Sequence, residues 1–221
     1  MEGNHSWFDA KLKTNSTIYV SWGDGKISTM QTYDKGGWCR VAHYYTGSEG
    51  KNHLFIITFE SDDPYALEGL VDGTWENEVE QVSIVYCPGL TYLHYVQLLK
   101  TDFSAAPNLQ TLVVTEYYAD VLDVSCLPHL RKLICRSSKI KNLDLTKNKK
   151  LEQLDISFCT ELKKIAIGND SRLRIVANDY TEIERKSLEW LEKTVTRNGG
   201  QIQKEWLQEA YISSGANGEE I

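Results

Sequence analysis

The chain has 221 residues, 41% hydrophobic and 25% charged, with a formal net charge of -7. That balance is ordinary for a globular protein long enough to bury a sizeable core. It argues against nucleic-acid binding through a basic face, and no stretch is apolar for the roughly 18 residues a membrane span needs.

The N-terminal segment "MEGNHSWFDAKLKTNSTIYV" lacks the apolar core of a secretion signal. Two expectations follow: an intracellular chain, or one whose leader has been removed. The next segment, "YVSWGDGKIS", poses a choice between a phosphate loop and a turn. A phosphate loop needs GxxxxGK[ST] opening a helix. Here one residue separates Gly23 from Gly25, and Ile27 follows Lys26. Asp24 stands alone, so a calcium loop is not supported. "STIYVSW" alternates and is rich in strand formers, and Asp-Gly is a strong hairpin signal. The segment predicts a β-hairpin. Further on, Cys39 and His43 lie four apart. Spacing alone does not make a nucleophile and its base.

From about residue 79 an LxxLxL pattern recurs. Its clearest copies, Leu109-Leu112-Val114, Leu130-Leu133-Cys135 and Leu151-Leu154-Ile156, start 21 residues apart. A second series lies between them: Leu122-Val124, Ile140-Leu143-Leu145 and Leu162-Ile165-Ile167. Weaker copies begin at Val79, Leu90 and Leu173. Alternation over the last three positions predicts a short strand with one buried face. Strand, turn, second extended piece and turn make one coil, which buries its apolar side only by stacking on neighbours. Asn148, Cys159, Cys87 and Asp170 each sit three residues beyond a strand's last apolar residue. They are expected to satisfy turn backbone inside the solenoid. The five cysteines, Cys39, Cys87, Cys126, Cys135 and Cys159, include no CxxC pair. We read most of them as buried thiols, and neither a zinc site nor any other cofactor is expected.

The run "LPHLRKLICRSSKIKNLDLTKNKKLEQLDISFCTELKKI" resembles the short leucine-rich repeats of gut-bacterial proteins often called BspA-like. Their repeat reads LxxLxCxxNxLxxLDLSxN, and here Ser138 stands where that pattern has Asn. "IYVSWGDGK", followed by "HYYTGSEGKNHLFIITF", is similar to the PKD-like β-sandwich, with a WGDG strand end, an H-x-Y and a closing strand. The resemblance implies a β module ahead of the solenoid, covering its open end.

Thr181-Glu182-Ile183-Glu184 reads as a capping box opening a helix with Ile183, Leu188, Leu191 and Val195 on one stripe. Asn198-Gly199-Gly200 would stop it. "QIQKEWLQEAY" reads as a second helix burying Trp206, Leu207 and Tyr211, or as a strand and then a helix. Residues 213–221 have a disorder-prone composition. The expected fold is α/β to mainly β. An N-terminal β-rich module spans 1–78, a leucine-rich-repeat solenoid 79–180, and a C-terminal helical cap and tail 181–221.

Two surface features invite a functional reading. Asp102, Asp123 and Asp144 recur at 21 residues, each followed two positions later by Ser or Thr. Stacking would align them as a cation- or sugar-binding stripe, but a local role in satisfying turn amides is favoured. On the other series, the outward positions would be His94, Val113, Thr115, Ile134, Arg136, Asp155 and Ser157, with Tyr117 and Tyr118 at a strand end. Exposed Val113 and Ile134 beside Arg136 would make a mixed surface of the kind partners use. The leading expectation is a non-catalytic binding or adhesion module for a protein or glycan, secreted or on a bacterial cell surface, as the resemblance implies. The alternatives are a thiol-dependent enzyme centred on Cys39 and His43, and an intracellular scaffold or effector.

Overall fold

The computed structural model describes residues 5–45, 56–73, 79–83, 86–96, 98–179, 181 and 183–204. The described chain is mostly β, a solenoid of about five turns with one short helix.

The N-terminal strands are β1 (His5–Leu12), β2 (Thr17–Ser21), β3 (Ile27–Gln31), β4 (Gly37–Tyr44), β5 (Thr58–Glu60) and β6 (Leu67–Asp72). β2 and β3 form the expected hairpin. Gly23 and Gly25 both take positive φ (80° and 86°), where a Cβ is strained. The Trp22 amide donates to the Lys26 carbonyl (3.0 Å), and the Lys26 amide donates to the Asp24 carboxylate (3.1 Å). "WGDGK" is therefore a turn. β5 joins β2 on its other edge.

The remaining elements are β7 (Val79–Ser83), β8 (Tyr92–Val96), β9 (Leu98–Asp102), β10 (Thr111–Thr115), β11 (Lys132–Ile134), β12 (Asn142–Leu145), β13 (Gln153–Asp155), β14 (Lys164–Ile167), β15 (Ile175–Ala177), α1 (Arg185–Arg197) and β16 (Gln201–Gln203). Alternate half-units build two faces. One is a long sheet in the order β16-β15-β13-β11-β10-β8-β6-β1-β4; the other carries the pairs β7-β9 and β12-β14. β6 pairs in parallel with β8, so β1, β4 and β6 share one sheet with the solenoid, while β3, β2 and β5 form a sheet of their own.

Register follows the repeat. Leu70, Leu93, Leu112, Leu133, Leu154, Val176 and Ile202 align as one row across the long sheet. Leu112, Leu133 and Leu154 are each fully buried. From the opposite face Leu143, Leu145, Ile165 and Ile167 enter the same core.

The turns vary. Asn148 is buried, and its side-chain amide donates to the carbonyls of Val124 (2.8 Å) and Leu127 (3.0 Å). Ser138 fills the position where the resemblance expected Asn; its hydroxyl accepts from the Tyr117 amide (3.1 Å) and donates to the Arg136 carbonyl (3.1 Å). The Cys159 thiol lies 2.8 Å from the Cys135 carbonyl oxygen. Asp170 departs from expectation: it is exposed and paired with Lys149, and Ser171 is the buried residue of that turn. All five cysteines are free.

The C-terminal helix begins later than its sequence signal. Thr181 donates its hydroxyl to the Ile156 carbonyl (2.6 Å), and Glu184 stands at the N-cap without a side-chain cap bond. Tertiary bonding to the last coil has claimed the threonine that a capping box would use. Leu191, Thr194 and Val195 face the core, and Gly199 at φ 70° ends the helix. Gly200 then passes so close to Arg174 that a Cβ would overlap its carbonyl. This lets Gln201–Gln203 join the long sheet as β16 rather than continue as helix. Trp206, Leu207, Tyr211 and residues 213–221 lie outside the described residues.

Candidate functional site

The sequence pointed to three places where chemistry could sit, and the fold treats each differently. His43 and Cys39 share β4. Four residues along a strand span about 13 Å, so the two side chains do not meet. His43 instead bonds through Nε2 to the Asp24 carboxylate (2.8 Å) and stacks on Trp22 (5.1 Å between centroids). Tyr45 lies edge-on to His43 and donates its hydroxyl to the Trp22 carbonyl (3.1 Å). Partial burial works to raise the Asp24 pKa, but hydrogen bonds from His43 and the Lys26 amide hold it below the usual carboxylate range. Burial, and then the charge of Asp9, push the Cys39 thiol up, away from thiolate character. These residues tie the hairpin to β4.

The acidic column resolves into local turns. Asp102, Asp123 and Asp144 each accept the backbone amide two residues on, at 2.9 Å from Ser104, Ser125 and Thr146. The amide bonds hold the Asp102 pKa low, and the Thr146 side chain and amide do the same for Asp144. Among the described residues no group of three or more His, Cys, Asp or Glu is placed to hold a metal.

The outward row of the long sheet is the main departure from expectation. Val71, His94, Val113, Ile134, Asp155, Ala177 and Gln203 align across it, one position beyond the core row. They face away from the core as the alternation required, yet they are not exposed. Val113, Ile134, Asp155 and Ala177 are 0% accessible and His94 is 9%. Val113, Ile134 and Ala177 form a second apolar cluster, flanked by Tyr92 and Ile175. Asp155 pairs with Arg136 (3.3 Å) and accepts the Ser157 amide (3.1 Å). Ser157 is itself buried, and Thr115 and Arg136 are half-buried. Tyr117 is not a free stacking ring either: it is buried, and its hydroxyl donates to the Val121 carbonyl (3.2 Å). Tyr118 is the exposed ring of that pair, with the Lys139 ammonium 5.1 Å from its centroid. Alternation fixes which way a side chain points, but not whether something lies above it.

An open groove of about 560 Å³ lies where the N-terminal strands meet the first coils. It is lined by Lys13, Tyr65, Glu68, Pro88, Gly89, Thr91, Asn108, Gln110 and His129. Consecutive coils supply its floor. The Thr91 amide donates to the Glu68 carbonyl, the Gln110 amide to Thr91, and the Arg131 amide to Gln110. The column continues as Arg131, Glu152 and Arg174, joined by ion pairs of 3.4 and 3.8 Å. Tyr65 stands at one edge, half exposed, and His129 Nδ1 lies 2.8 Å from the Lys150 ammonium at the other. Sequence reasoning missed this groove because its walls come from segments separated in the chain: Lys13, Tyr65–Glu68, Pro88–Thr91, and Asn108 to His129. The recurrent polar residue just before each long-sheet strand was the available signal. Compared with family models and with curated proteins, the chain matches none.

Proposed function

We propose that the protein is a non-catalytic recognition module that takes a hydroxyl-rich ligand, a glycan or a polar protein segment, in the groove between Tyr65 and His129. The observation that carries this reading is the groove's construction. Successive coils project Glu68, Thr91 and Gln110 in a row beside one exposed aromatic ring. Amide, hydroxyl and carboxylate groups at regular spacing can bond a chain of hydroxyls, and the Tyr65 face can pack on the apolar side of a sugar. The resemblance of the repeats to BspA-like leucine-rich proteins, and of the WGDG segment to PKD-like modules, supports an adhesive role outside a bacterial cell. The separation of Cys39 from His43 weighs against the thiol-enzyme alternative.

Glycan-array and peptide-array screening of the full chain tests the reading, followed by titration of the best ligand. Tyr65→Ala and Gln110→Ala change exposed side chains, and each should leave stability within about 0.5 kcal/mol of the parent. Each should weaken binding by about tenfold or more, the effect of losing roughly 1.4 kcal/mol of contact. Undiminished binding in both variants would place recognition elsewhere and end the proposal.

A further inference from the structure

Charge is distributed unevenly along the chain. Residues 131–174 hold 12 Lys and Arg against 5 Asp and Glu, whereas the remaining residues hold 12 against 26. The overall balance of -7 therefore conceals a cationic stretch of solenoid. Part of that charge is taken up in local pairs. Lys141 meets Asp120 (2.9 Å), Lys149 meets Asp170 (2.6 Å), and Arg136 meets the buried Asp155 (3.3 Å). The cations at the His129 end of the groove are placed differently. Beyond Gln110, the residues just before the long-sheet strands are Arg131, Glu152 and Arg174. The Glu152 amide donates to the Arg131 carbonyl (2.8 Å) and the Arg174 amide to the Glu152 carbonyl (3.0 Å), so the three stand on consecutive coils. Both guanidinium side chains are more than half exposed (56% and 57%), with Glu152 partly buried between them. A guanidinium has five N–H donors, and contacts of 3.4 and 3.8 Å to one shared carboxylate saturate neither. Lys150 donates to His129 Nδ1 (2.8 Å), and the exposed Arg172 lies two residues before Arg174. His129 lines the groove, so this basic edge is continuous with it.

Cation, carboxylate, cation on three coils is a pattern that a ligand must mirror. β11, β13 and β15 are neighbours in the sheet, so Arg131 and Arg174 stand two strand spacings apart, about 10 Å. Each suits a carboxylate, which a guanidinium can bind with paired N–H bonds. Glu152 between them repels a further anion and accepts from hydroxyls. Duplex nucleic acid fits this poorly, because its charges follow one another every ~1.7 Å along the axis. An acidic peptide lacks the run of hydroxyls that Glu68 and Glu152 would engage. A polysaccharide acidic on every second sugar fits better, since a neutral, hydroxyl-bearing sugar separates its carboxylates. We infer that the Arg131–Glu152–Arg174 column makes an acidic polysaccharide the ligand of the groove. The arginines take its carboxylates, and Glu152 takes hydroxyls of the neutral sugar between them. The inference rests on the groove reading above and narrows its ligand class.

The probes are oligosaccharides of hyaluronan and of unsulfated chondroitin, each native and with its carboxyl groups reduced to alcohols. They are titrated into the full chain by calorimetry at low and at physiological salt. At least one native probe should bind about tenfold or more tightly than its reduced form, and the advantage should shrink as salt screens it. Arg131→Gln and Arg174→Gln are surface changes that remove the charge and keep donors. Each should take away much of the advantage and leave affinity for the reduced form unchanged. Glu152→Gln should tighten the native probe by about threefold, because it releases both arginines from a competing carboxylate. Tyr65→Ala should weaken native and reduced forms alike. Equal affinity for native and reduced probes, with Tyr65→Ala weakening both, would overturn the acidic ligand and leave the groove reading standing. An advantage lost in the arginine variants but untouched by Tyr65→Ala would support the cationic column and end the groove reading. Poly-glutamate or duplex DNA binding as tightly, with the same dependence on Arg131 and Arg174, would show a general polyanion surface and overturn the inference. So would failure of both native probes to bind.

Discussion

The two faces of the solenoid are built from the same chemistry and end in different states. β11 and β13 on the long sheet, and β12 and β14 on the other face, each send an apolar row into one shared core. Beyond that row the faces diverge. Asn142, Asp144, Lys164 and Ala166 are exposed on the second face, whereas Ile134, Asp155 and Ala177 are buried on the first. Repeat period therefore determines the inward half of each strand equally on both faces. The outward half does not follow from that period.

The largest effect should come from the half the faces share. Leu133→Ala opens a cavity in the common core and should cost about 3–5 kcal/mol. Denaturant unfolding followed by far-ultraviolet dichroism and by tryptophan emission should show both signals moving together. Loss of one signal alone would mean that the faces unfold separately. The outward half gives a sharper contrast. Ile134→Ala should cost about 2–4 kcal/mol, because Ile134 is fully buried and packs in the cluster with Val113 and Ala177. Ala166→Ser on the open face should stay within about 0.5 kcal/mol. Equal small effects would erase the difference between the faces.

Turn chemistry should rank next. Asn148→Ala removes two donors from the carbonyls of Val124 and Leu127 inside the solenoid. Leaving buried carbonyls unpaired should cost about 1–3 kcal/mol. Asn148→Asp should not rescue it, since a carboxylate only accepts; urea melts of the three proteins would show the order.

How far the sequence could be read follows from the same contrast. The strands near Leu109, Leu130 and Leu151, the buried leucine row and the WGDG hairpin were all legible, because a local period or a turn signal dictates them. Asn148 was legible as a turn residue because its spacing repeats, and Ser138 stood in the same place with a different donor. The buried state of Val113, Ile134 and Asp155 was not legible. Periodicity within those strands fixes the direction of these side chains and not their accessibility. The helix start was misplaced because Thr181 answers to the Ile156 carbonyl, a partner 25 residues away. The groove was invisible for a related reason: Tyr65 and Gln110 become neighbours only once β6 joins β8 in the long sheet.

The smallest effects belong to the exposed turns, and the hairpin separates two causes. Gly25 sits at φ 86° with open space where a Cβ would project; Gly23 sits at φ 80° with the Ile56 carbonyl oxygen 2.9 Å from that point. Gly25→Ala should therefore cost only the backbone strain, on the order of 1 kcal/mol. Gly23→Ala should cost more, because the turn must also move away from Ile56. Lys26→Ala should change little, since the turn uses the Lys26 amide and carbonyl and not its charge. Asp24→Asn should weaken the turn only where the carboxylate would be ionised. Its folded pKa is lowered, so its contribution is present above the unfolded value of about 3.9 and fades as pH falls through the folded value. Thermal melts of these four variants and the parent at pH 7 and about pH 3 would separate strain from charge. If Asp24→Asn lost as much at pH 3 as at pH 7, the carboxylate's bonds to His43 and the Lys26 amide would not be what steadies the hairpin.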